Sequence, residues 1–326
     1  MRILVTGANG YLGARLGSFF SERGHEVIGL ARRLPHDGKA WEKLFSKIII
    51  GDVADAALAQ SSLAGVEPDA AIHTVSLDHK NTVPAQLQRA YAVNVAGTAN
   101  VLEALSKAKL KRFVYFSTQQ VYGRLAPGLV SEETPPAPLN LYGLTHLLCE
   151  QIGDFYKATS GVKCASLRLS NSYGQPVLRD ANCWWLVVND FCRTVVEQGR
   201  IQIMSDGTPQ RDFLHYVDVC QAVELLLTAP DEALTRGVYN LGSGTTCTIL
   251  ELAGRVARAF ERVCGRRAEV VFGDGRPAEL GKPAPVANRF VYGIDRLREL
   301  GFAPTISLDQ GIEDLLRYCL AGGTKP

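Results

Sequence analysis

The sequence predicts an α/β fold built on a doubly wound parallel sheet, followed by a smaller C-terminal module. Short β-branched runs alternate with amphipathic helical stretches through the first half of the chain, which is the pattern of parallel strands joined by covering helices. A glycine-rich turn follows the first of these runs directly. Beyond Tyr173 the alternation becomes irregular, and Gly and Pro breakers indicate a loop-rich module.

The predicted elements follow this pattern in order. Runs rich in β-branched residues place strands at residues 3–5, 26–30, 47–50, 70–73 and 112–117. A first helix is predicted to begin near Leu12, after the glycine-rich turn. Two longer helices are predicted over residues 86–109 and 142–156, because apolar residues recur there at helical spacing. We expect these two helices to lie on one face of the sheet.

Composition excludes several classes of protein. The 326-residue chain is 46% hydrophobic, which is enough to bury a substantial core. Its 35 basic and 33 acidic residues are spread along the chain, so we expect neither a nucleic-acid partner nor binding to a membrane surface. The eight cysteines form no C-x-x-C pair and the six histidines do not cluster with them, so we expect no metal site and no disulfide framework.

The N-terminal residues bear on location. A strand-like run begins at Ile3, which leaves no room for a signal peptide. No apolar stretch is long enough to cross a bilayer. We therefore expect a cytoplasmic protein.

The turn after the first strand has the spacing of a phosphate-binding loop. Residues 6–13 are TGANGYLG, a G-x-x-G-x-x-G pattern that leads directly into a helix. Small residues there let the backbone turn sharply, approach a pyrophosphate closely and aim the helix N-terminus at its negative charge, as in Rossmann-type folds. Turns also collect glycine for steric reasons alone, but this turn joins a first strand to a helix. The residues expected to contact a dinucleotide cofactor here are Gly7, Asn9, Gly10, Tyr11, Leu12 and Gly13.

The end of the second strand indicates which dinucleotide binds. Residues 29–33 are GLARR, with no acidic residue where an NAD site would hold the ribose 2′-hydroxyl. An arginine suits a 2′-phosphate, so NADP(H) is favoured over NAD(H), with Arg32 as the contact. The alternative is that Arg32 and Arg33 are solvated loop cations. Asp52, after the third strand, could accept a hydrogen bond from the adenine amino group or could be an ordinary turn residue.

Further motifs occur along most of the chain. In order they are Asp52-Val53, DAAIH at residues 69–73, NVAGT at 94–98, FSTQQVYG at 116–123, LRLSNSYG at 167–174, QRDF at 210–213, VDV at 217–219 and YNLG at 239–242. In this order and spacing the chain resembles the extended short-chain dehydrogenase/reductases, specifically the NAD(P)-dependent nucleotide-sugar epimerases, dehydratases and reductases that include UDP-galactose 4-epimerase and GDP-fucose synthase.

The resemblance implies a catalytic pair, Thr118 and Tyr142. Tyr142 would exchange a proton with a sugar oxygen while a nicotinamide exchanges hydride at the same carbon, and Thr118 would hydrogen-bond that oxygen. A phenol with a pKa of about 10 is a poor base at pH 7, so we expect nearby positive charge to lower the pKa of Tyr142. On the residues alone, Thr118 could instead bond backbone at a strand end and Tyr142 could be a packing residue. The resemblance also implies cofactor contacts at Val53, Thr74, Asn94, Tyr142 and His146.

His146 departs from the family pattern, which has lysine four residues after the tyrosine. One helical turn from Tyr142, His146 faces the same way and could hydrogen-bond the nicotinamide ribose. An imidazole with a pKa of about 6.5 is mostly neutral at pH 7, so we expect its electrostatic help to Tyr142 to be weaker and pH-dependent. The alternative is that His146 is a passive residue in a fold that has lost catalysis.

On the substrate side, the resemblance implies that Asn171, Arg211 and Arg276 bind the diphosphate of a nucleotide sugar. Arginine suits this role because its planar fork donates bidentately to phosphate and keeps its charge. Trp184 and Trp185 fall where family members line the base and sugar pocket. They could stack on a ring of the substrate or pack in the core.

These assignments divide the chain into two parts. Residues 1–172, with residues 212–243 returning to them, are predicted to form the dinucleotide-binding domain. Residues 173–211 and 244–326 are predicted to form the substrate-binding module. The function that we expect is NAD(P)-dependent reduction of a 4-keto group in a nucleotide sugar.

Alternatives stay open at this level. A 4-epimerase with tightly bound NAD shares nearly all of these residues, and a non-catalytic dinucleotide-binding sensor or scaffold is the alternative of another class, motivated by His146. A dehydratase is disfavoured, because Gln119 and Gln120 stand where the family's dehydratases have Asp-Glu. We also expect a homodimer, in which the two long helices of each chain form a four-helix bundle.

Overall fold

A seven-stranded parallel sheet forms the centre of the protein. The structure is a computed structural model that describes residues 1–35, 38–108, 110–280 and 289–324. The strands found in these residues are β1 (Arg2–Thr6), β2 (Glu26–Ala31), β3 (Lys47–Ile50), β4 (Ala70–His73), β5 (Arg112–Thr118), β6 (Gly128–Val130), β7 (Lys163–Leu169), β8 (Asn171–Tyr173), β9 (Arg200–Ile203), β10 (Gln210–His215), β11 (Val238–Leu241), β12 (Thr246–Thr248), β13 (Glu269–Phe272) and β14 (Phe290–Tyr292). The order across the central sheet is β11-β7-β5-β4-β1-β2-β3, and its neighbouring strands run parallel.

Helices cover the central sheet and also form much of a second region beside it. They are α1 (Tyr11–Ser21), α2 (Gly38–Glu42), α3 (Ala56–Leu63), α4 (Leu87–Ala90), α5 (Gly97–Ser106), α6 (Leu141–Ser160), α7 (Val187–Gln198), α8 (Tyr216–Thr228), α9 (Asp231–Leu234), α10 (Ile249–Cys264), α11 (Asp295–Arg298) and α12 (Leu308–Tyr318). Short 3-10 turns lie at Pro84–Gln86 and Gln119–Tyr122, and π-helical segments lie at Tyr91–Ala96 and Cys319–Gly323. Among the described residues, no helix has both the length and the apolar character needed to cross a membrane.

Burial along β1 shows why helices cover both faces of the sheet. Ile3, Leu4 and Val5 are all fully buried. Successive side chains of a strand point to opposite faces. Ile3 and Val5 accordingly pack in a cluster with residues of α1 and α8, whereas Leu4 packs with residues of α3, α5 and α6. A polar side chain at any of these positions would be buried away from water, so the strand is apolar throughout.

The predicted fold class is confirmed. The predicted strands are all present, and each differs from its prediction by no more than one residue at either end. The predicted helix over residues 142–156 is α6, which begins one residue earlier and continues to Ser160. The side chain of Asn140 accepts a hydrogen bond from the Gly143 N–H at 2.8 Å and so fixes where α6 begins. Gly161, at a φ of +76°, ends it.

The predicted helix over residues 86–109 is composite. α4 continues through the π-helical segment Tyr91–Ala96 into α5, which ends at Ser106, and Lys109 lies outside the described residues. Asn94, within the wide π turn, accepts a hydrogen bond from the Leu77 N–H at 2.8 Å and donates to Thr145 Oγ1 at 2.9 Å. The π turn therefore ties the loop after β4 to the first turns of α6.

A second core lies beyond the central sheet. Residues of α7, α10 and α12 pack around it, together with residues of β9 and β13, which pair in parallel. β10 pairs with β8 and β12 in a small three-stranded sheet. The chain then returns to the central sheet, where β11 pairs with β7.

Candidate active site

A cleft of about 1500 Å³ opens at the carboxyl ends of the central strands. One wall comes from the loops that follow β1, β4, β5 and β7, and the other includes residues 180–182, 185–188 and 208–211. β1 and β4 are neighbours in the sheet, and strand order reverses between them. Doubly wound sheets bind ligands in the crevice at this switch point.

The glycine-rich turn lies in the cleft wall and has the shape of a pyrophosphate cradle. The lining residues from this turn are Asn9, Gly10, Tyr11, Leu12 and Gly13. Gly7 has a φ of +72°, and a Cβ there would lie 2.6 Å from Thr74 Oγ1. A Cβ at Gly13 would lie 2.1 Å from the Gly7 carbonyl oxygen. Gly10 begins α1 without a side-chain cap, which leaves the first N–H groups of the helix to a bound anion, so the turn fits a dinucleotide.

Three side-chain hydrogen bonds hold the turn in place. Trp41 donates from Nε1 to a carbonyl of the turn at 2.9 Å. Asn9 donates from Nδ2 to the Arg33 carbonyl at 2.9 Å, which joins the turn to the end of β2. The Tyr11 hydroxyl donates to the Gly174 carbonyl at 3.0 Å. The turn is therefore fixed from both sides before any ligand binds.

The residues predicted near the adenosine half of the dinucleotide do not all lie at the cleft. Arg33 lines the cleft, whereas Arg32 is exposed outside its lining. Asp52 accepts a hydrogen bond at 3.0 Å from a backbone N–H two residues later, in an ordinary turn. Val53 is buried against Gly97, whose Cβ, if present, would lie 2.8 Å from Val53 Cγ2. Of these four, only Arg33 borders the cleft.

Thr118 and Tyr142 both line the cleft. Thr118 is the last residue of β5, and its Oγ1 accepts a hydrogen bond from the Gln120 N–H at 3.2 Å. Tyr142 lies in the first turn of α6. Burial raises the pKa of Tyr142 to about 12, and the nearby carboxylate of Asp78 acts in the same direction. The protein by itself therefore makes this phenol a weaker acid, contrary to the expected lowering.

His146 lies behind Tyr142 and not in the lining of the cleft. Its side chain is buried, and its ring meets the Tyr142 ring edge-on with centroids 4.5 Å apart. Nδ1 lies 2.6 Å from the Tyr115 hydroxyl and Nε2 lies 3.1 Å from Ser76 Oγ. Burial lowers the pKa of His146 to about 3, so the ring is neutral at pH 7. It cannot supply the positive charge of the family's lysine.

A buried ion pair lies further along the same face of α6. Glu150 and Arg168 are each about 95% buried. Arg168 donates from Nε and Nη2 to the two carboxylate oxygens of Glu150, at 3.0 and 2.7 Å. The Ser117 hydroxyl donates to the same carboxylate at 2.5 Å. This bidentate pair anchors α6 to β5 and β7 and so positions Tyr142 relative to Thr118.

The three residues predicted to bind the substrate diphosphate do not all meet. Arg211 and Asn171 line the cleft. Asn171 donates from Nδ2 to the Asp212 carbonyl at 2.9 Å, which holds β8 against β10. Arg276 lies outside the cleft lining, in an exposed turn where its Nε donates to Asp274 at 2.7 Å. The structure therefore brings together two of the three.

The two adjacent tryptophans have different surroundings. Trp185 lines the cleft, and its ring lies 4.8 Å from that of His79. Trp184 stacks on Tyr318 in the second core, with an interplanar angle of 18°. Trp185 is thus the one that a ligand in the cleft can contact.

Sequence reasoning missed three polar residues around the proposed pair. Ser76 and Asp78 line the cleft beside Tyr142, and Tyr115 lies beneath it. A usable signal existed for the first two, because they follow β4 at its carboxyl end, where doubly wound sheets carry their ligands. Tyr115 gave no signal, since an aromatic residue within a buried strand is read as core.

The sequence and the fold are both similar to those of nucleotide-sugar enzymes. The family model described as the NAD dependent epimerase/dehydratase family matches residues 3–242. UDP-glucose 4-epimerase of Bacillus subtilis (strain 168) is 29% identical, over 98% of this chain and 96% of that protein. dTDP-glucose 4,6-dehydratase of Streptomyces antibioticus is 30% identical, over 80% of this chain and 77% of that protein. The structure of Thermus thermophilus UDP-glucose 4-epimerase in complex with NAD has a TM-score of 0.80 and 25% identity, covering 98% of this chain and 99% of that one.

Proposed function

The chain belongs to the NAD-dependent epimerase/dehydratase family, whose members act on nucleotide sugars, and from the geometry of its cleft we propose that it is a nucleotide-sugar 4-epimerase with bound NAD(P). The observation that carries this proposal is that Thr118 and Tyr142 line the same cleft as the glycine-rich turn and Arg211, and the similarity to UDP-glucose 4-epimerases favours epimerisation over reduction. One cleft thus offers a cradle for a dinucleotide, two hydroxyls for proton handling and a cation for a diphosphate.

Tyr142 is the proton-transfer group in this proposal. Its phenolate accepts the proton of the sugar C4 hydroxyl as the alcohol becomes a ketone, and its hydroxyl returns the proton when the ketone is reduced on the other face. Thr118 donates a hydrogen bond to the same oxygen and fixes its position. A bound nicotinamide supplies the hydride acceptor and, in its oxidised form, a positive charge that opposes the raised pKa of Tyr142.

Binding of the nucleotide diphosphate falls to the second part of the chain. We propose that residues 173–211 and 244–326 form the substrate-binding module on the dinucleotide-binding domain of residues 1–172 and 212–243. Arg211 is exposed to the cleft and can donate a bidentate pair of hydrogen bonds to a phosphate. Arg276 would have to break its hydrogen bond to Asp274 to bind the same diphosphate as Arg211.

A reductase of a 4-keto sugar nucleotide is the second candidate, favoured by the absence of an acidic residue after β2. Arg33 lines the cleft there and suits the 2′-phosphate of NADP(H), the cofactor of a reductase that exchanges it at each turnover. NADP(H) binding in preference to NAD(H) remains part of this proposal.

The neighbouring glutamines argue against a dehydratase. Gln119 and Gln120 both line the cleft next to Thr118. Loss of water from a 4-keto sugar needs an acid to protonate the departing hydroxyl and a base to remove a proton from carbon. The carboxamide of a glutamine acts as neither an acid nor a base near pH 7.

The helices beside the cleft support a homodimer. Leu87 and Tyr91, one turn apart, and Leu144 and Phe155 on α6 are exposed apolar side chains. α4 and the π-helical segment both contact α6, so these side chains belong to adjoining helices. We propose that this face pairs with its copy as a four-helix bundle.

Three measurements separate the candidates. Native mass spectrometry of protein purified without added ligand identifies a retained dinucleotide by its mass. Incubation with a panel of UDP- and dTDP-hexoses tests epimerisation, which interconverts two sugars without net change in the cofactor. Stoichiometric loss of NADPH absorbance with a 4-keto sugar nucleotide supports the reductase instead. Saturable cofactor binding without turnover of the hexoses or of the 4-keto sugar nucleotide would contradict the epimerase and the reductase alike and favour a non-catalytic sensor.

A further inference from the structure

The neutral ring of His146 leaves open which group meets the nicotinamide ribose, where the family pattern has lysine. His146 is 2% exposed and does not line the cleft. Each of its ring nitrogens already lies within hydrogen-bond distance of a hydroxyl, Tyr115 on one side and Ser76 on the other. Ser76, by contrast, lines the cleft.

The hydrogen bonds around Ser76 determine whether its hydroxyl can donate to a ligand or accept from one. Ser76 Oγ donates its one proton to the Leu77 carbonyl at 2.9 Å. With the ring proton of His146 assigned to Nε2, that nitrogen donates to Ser76 Oγ and Nδ1 accepts from the Tyr115 hydroxyl. A hydroxyl oxygen has two lone pairs. One of them is taken by His146, and the second is left for a donor that enters the cleft.

We propose that Ser76 is the ribose contact in this chain and that His146 is a positioning residue, held by Tyr115, that acts through Ser76. The free lone pair of Ser76 accepts a hydrogen bond from a hydroxyl of the nicotinamide ribose, a vicinal diol, so a neutral acceptor replaces a charged donor. This inference rests on the proposed function for the identity of the ligand, a nicotinamide dinucleotide.

The position of Ser76 supports the assignment. Ser76 follows β4, and Thr74, two residues earlier, packs against the glycine-rich turn, where a Cβ on Gly7 would meet its Oγ1. The same loop is held by Asn94 through the Leu77 N–H. Ser76 therefore lies on a loop that is held at both Thr74 and Leu77, and it lines the same cleft as the glycine-rich turn and Tyr142.

The contact between Ser76 and the ribose can be tested by comparing the affinities of the protein for two ligands, with no need for turnover. NAD⁺ or NADP⁺, whichever the parent protein binds more tightly, carries the nicotinamide ribose, whereas ADP carries only the adenosine half. Ser76→Ala should weaken binding of the full dinucleotide about fivefold to tenfold, the loss of one hydrogen bond. It should leave the Kd for ADP unchanged, as measured by titration calorimetry.

Variants of His146 test the positioning role. His146→Gln keeps an N–H for Ser76 and should retain both affinities, whereas His146→Leu should weaken dinucleotide binding as much as Ser76→Ala does. Because both act through one contact, the double variant Ser76→Ala/His146→Leu should be no weaker than either single one. His146→Gln also keeps the test valid if His146→Leu fails to fold.

Three results would overturn the inference. The first is an unchanged dinucleotide Kd in Ser76→Ala. The second is an equal loss of ADP affinity, which would indicate a structural defect. The third is a double variant whose loss of dinucleotide affinity equals the product of the losses in the two single variants. Failure of the proposed function is distinguishable, because a parent protein that binds the dinucleotide but turns over no sugar can still show the expected pattern of affinities.

Discussion

Tyr142 and His146 lie one helical turn apart, and burial drives their pKa values in opposite directions. The pKa of Tyr142 rises to about 12 and that of His146 falls to about 3. Both groups are therefore uncharged at pH 7, since burial disfavours the charged form of an acid and of a base alike. Any charge that activates Tyr142 must come from what binds in the cleft.

Tyr142→Phe is expected to abolish turnover, because it removes the hydroxyl that transfers the proton, and to leave cofactor affinity within about threefold, because the ring and almost all of the volume remain. In the cofactor-free protein, the ultraviolet difference spectrum between parent and variant should show no phenolate below a pH of about 10, since the pKa of Tyr142 is raised to about 12. A difference titration near neutral pH would mean that a cation in the protein already lowers this pKa. Unchanged turnover in the variant would refute the assignment of Tyr142.

Arg33 is expected to matter more than Arg32 for the choice of cofactor. Arg33→Ala should weaken NADP(H) about tenfold or more and leave NAD(H) nearly unchanged, because a charge-assisted hydrogen bond to the 2′-phosphate contributes about 1.5–3 kcal/mol. Arg32→Ala is the matched control, since its side chain lies outside the cleft lining. Fluorescence titration with both cofactors measures the effect. Equal affinities of the parent protein for NADP(H) and NAD(H) would remove the basis for this preference.

At the scale of elements, one face of α6 organises the candidate site. Tyr142, His146 and Glu150 recur every four residues and so lie in a row on that face. The row lies over β5, where His146 meets Tyr115 and Glu150 meets Ser117. Because Thr118 follows directly on Ser117 in β5, these contacts decide how far it lies from Tyr142.

The opposite side of α6 is expected to form the dimer interface. Leu144 and Phe155 are about three helical turns apart and therefore share a face. Phe155→Glu and Tyr91→Glu should each convert a dimer to a monomer, because a carboxylate cannot be buried unpaired in an apolar contact. Met204→Glu is the control, at an exposed apolar residue away from these helices. Light scattering at micromolar concentration reports the mass, and a monomeric parent protein would contradict the interface.

At the scale of the whole molecule, three buried histidines among the residues that the structure describes are held neutral. His73 lies between the hydroxyls of Thr6 and Thr98, much as His146 lies between those of Tyr115 and Ser76. Burial lowers the pKa of His73 and of His146 to about 3, and that of His215 to about 4. In the unfolded chain each would titrate near its ordinary value of about 6.5.

Acid is therefore expected to destabilise the protein through these histidines. Their folded pKa values are lowered, so below a pH of about 6.5 the unfolded chain binds protons that the folded one does not. As pH falls from about 6 to about 5, each histidine should reduce the free energy of unfolding by about 1.4 kcal/mol per pH unit, or about 4 kcal/mol per pH unit for the three together. The contribution of His215 fades first at lower pH, because its folded pKa is about 4. His146→Gln should reduce this slope by about a third in urea titrations at several pH values. An unchanged slope would mean that His146 is protonated in the folded protein.

The amino-acid sequence by itself determined five strands of the central sheet, the longer helices of the first half and the general place of the site. The ends of the five strands predicted in the first half of the chain were right to within a residue, because apolar periodicity and turn chemistry are local properties, whereas β6–β14 were not predicted individually. The need for glycine at residue 13 is local too, since a Cβ there would meet the carbonyl of Gly7 in the same turn, whereas a Cβ at Gly7 would meet Thr74, far away in the chain. Thr118 and Tyr142 were expected in one site, and both line the cleft.

Only the tertiary structure decided what individual side chains face. In the structure, Arg33 lines the cleft and Arg32 does not. Trp185 also lines the cleft, whereas Trp184 packs in the second core and Arg276 lies outside the cleft lining. The structure also showed His146 buried between two hydroxyls, with a pKa far below that of a free imidazole. These properties depend on neighbours that are distant in the chain, because direction and burial are set by packing and burial sets the charge state.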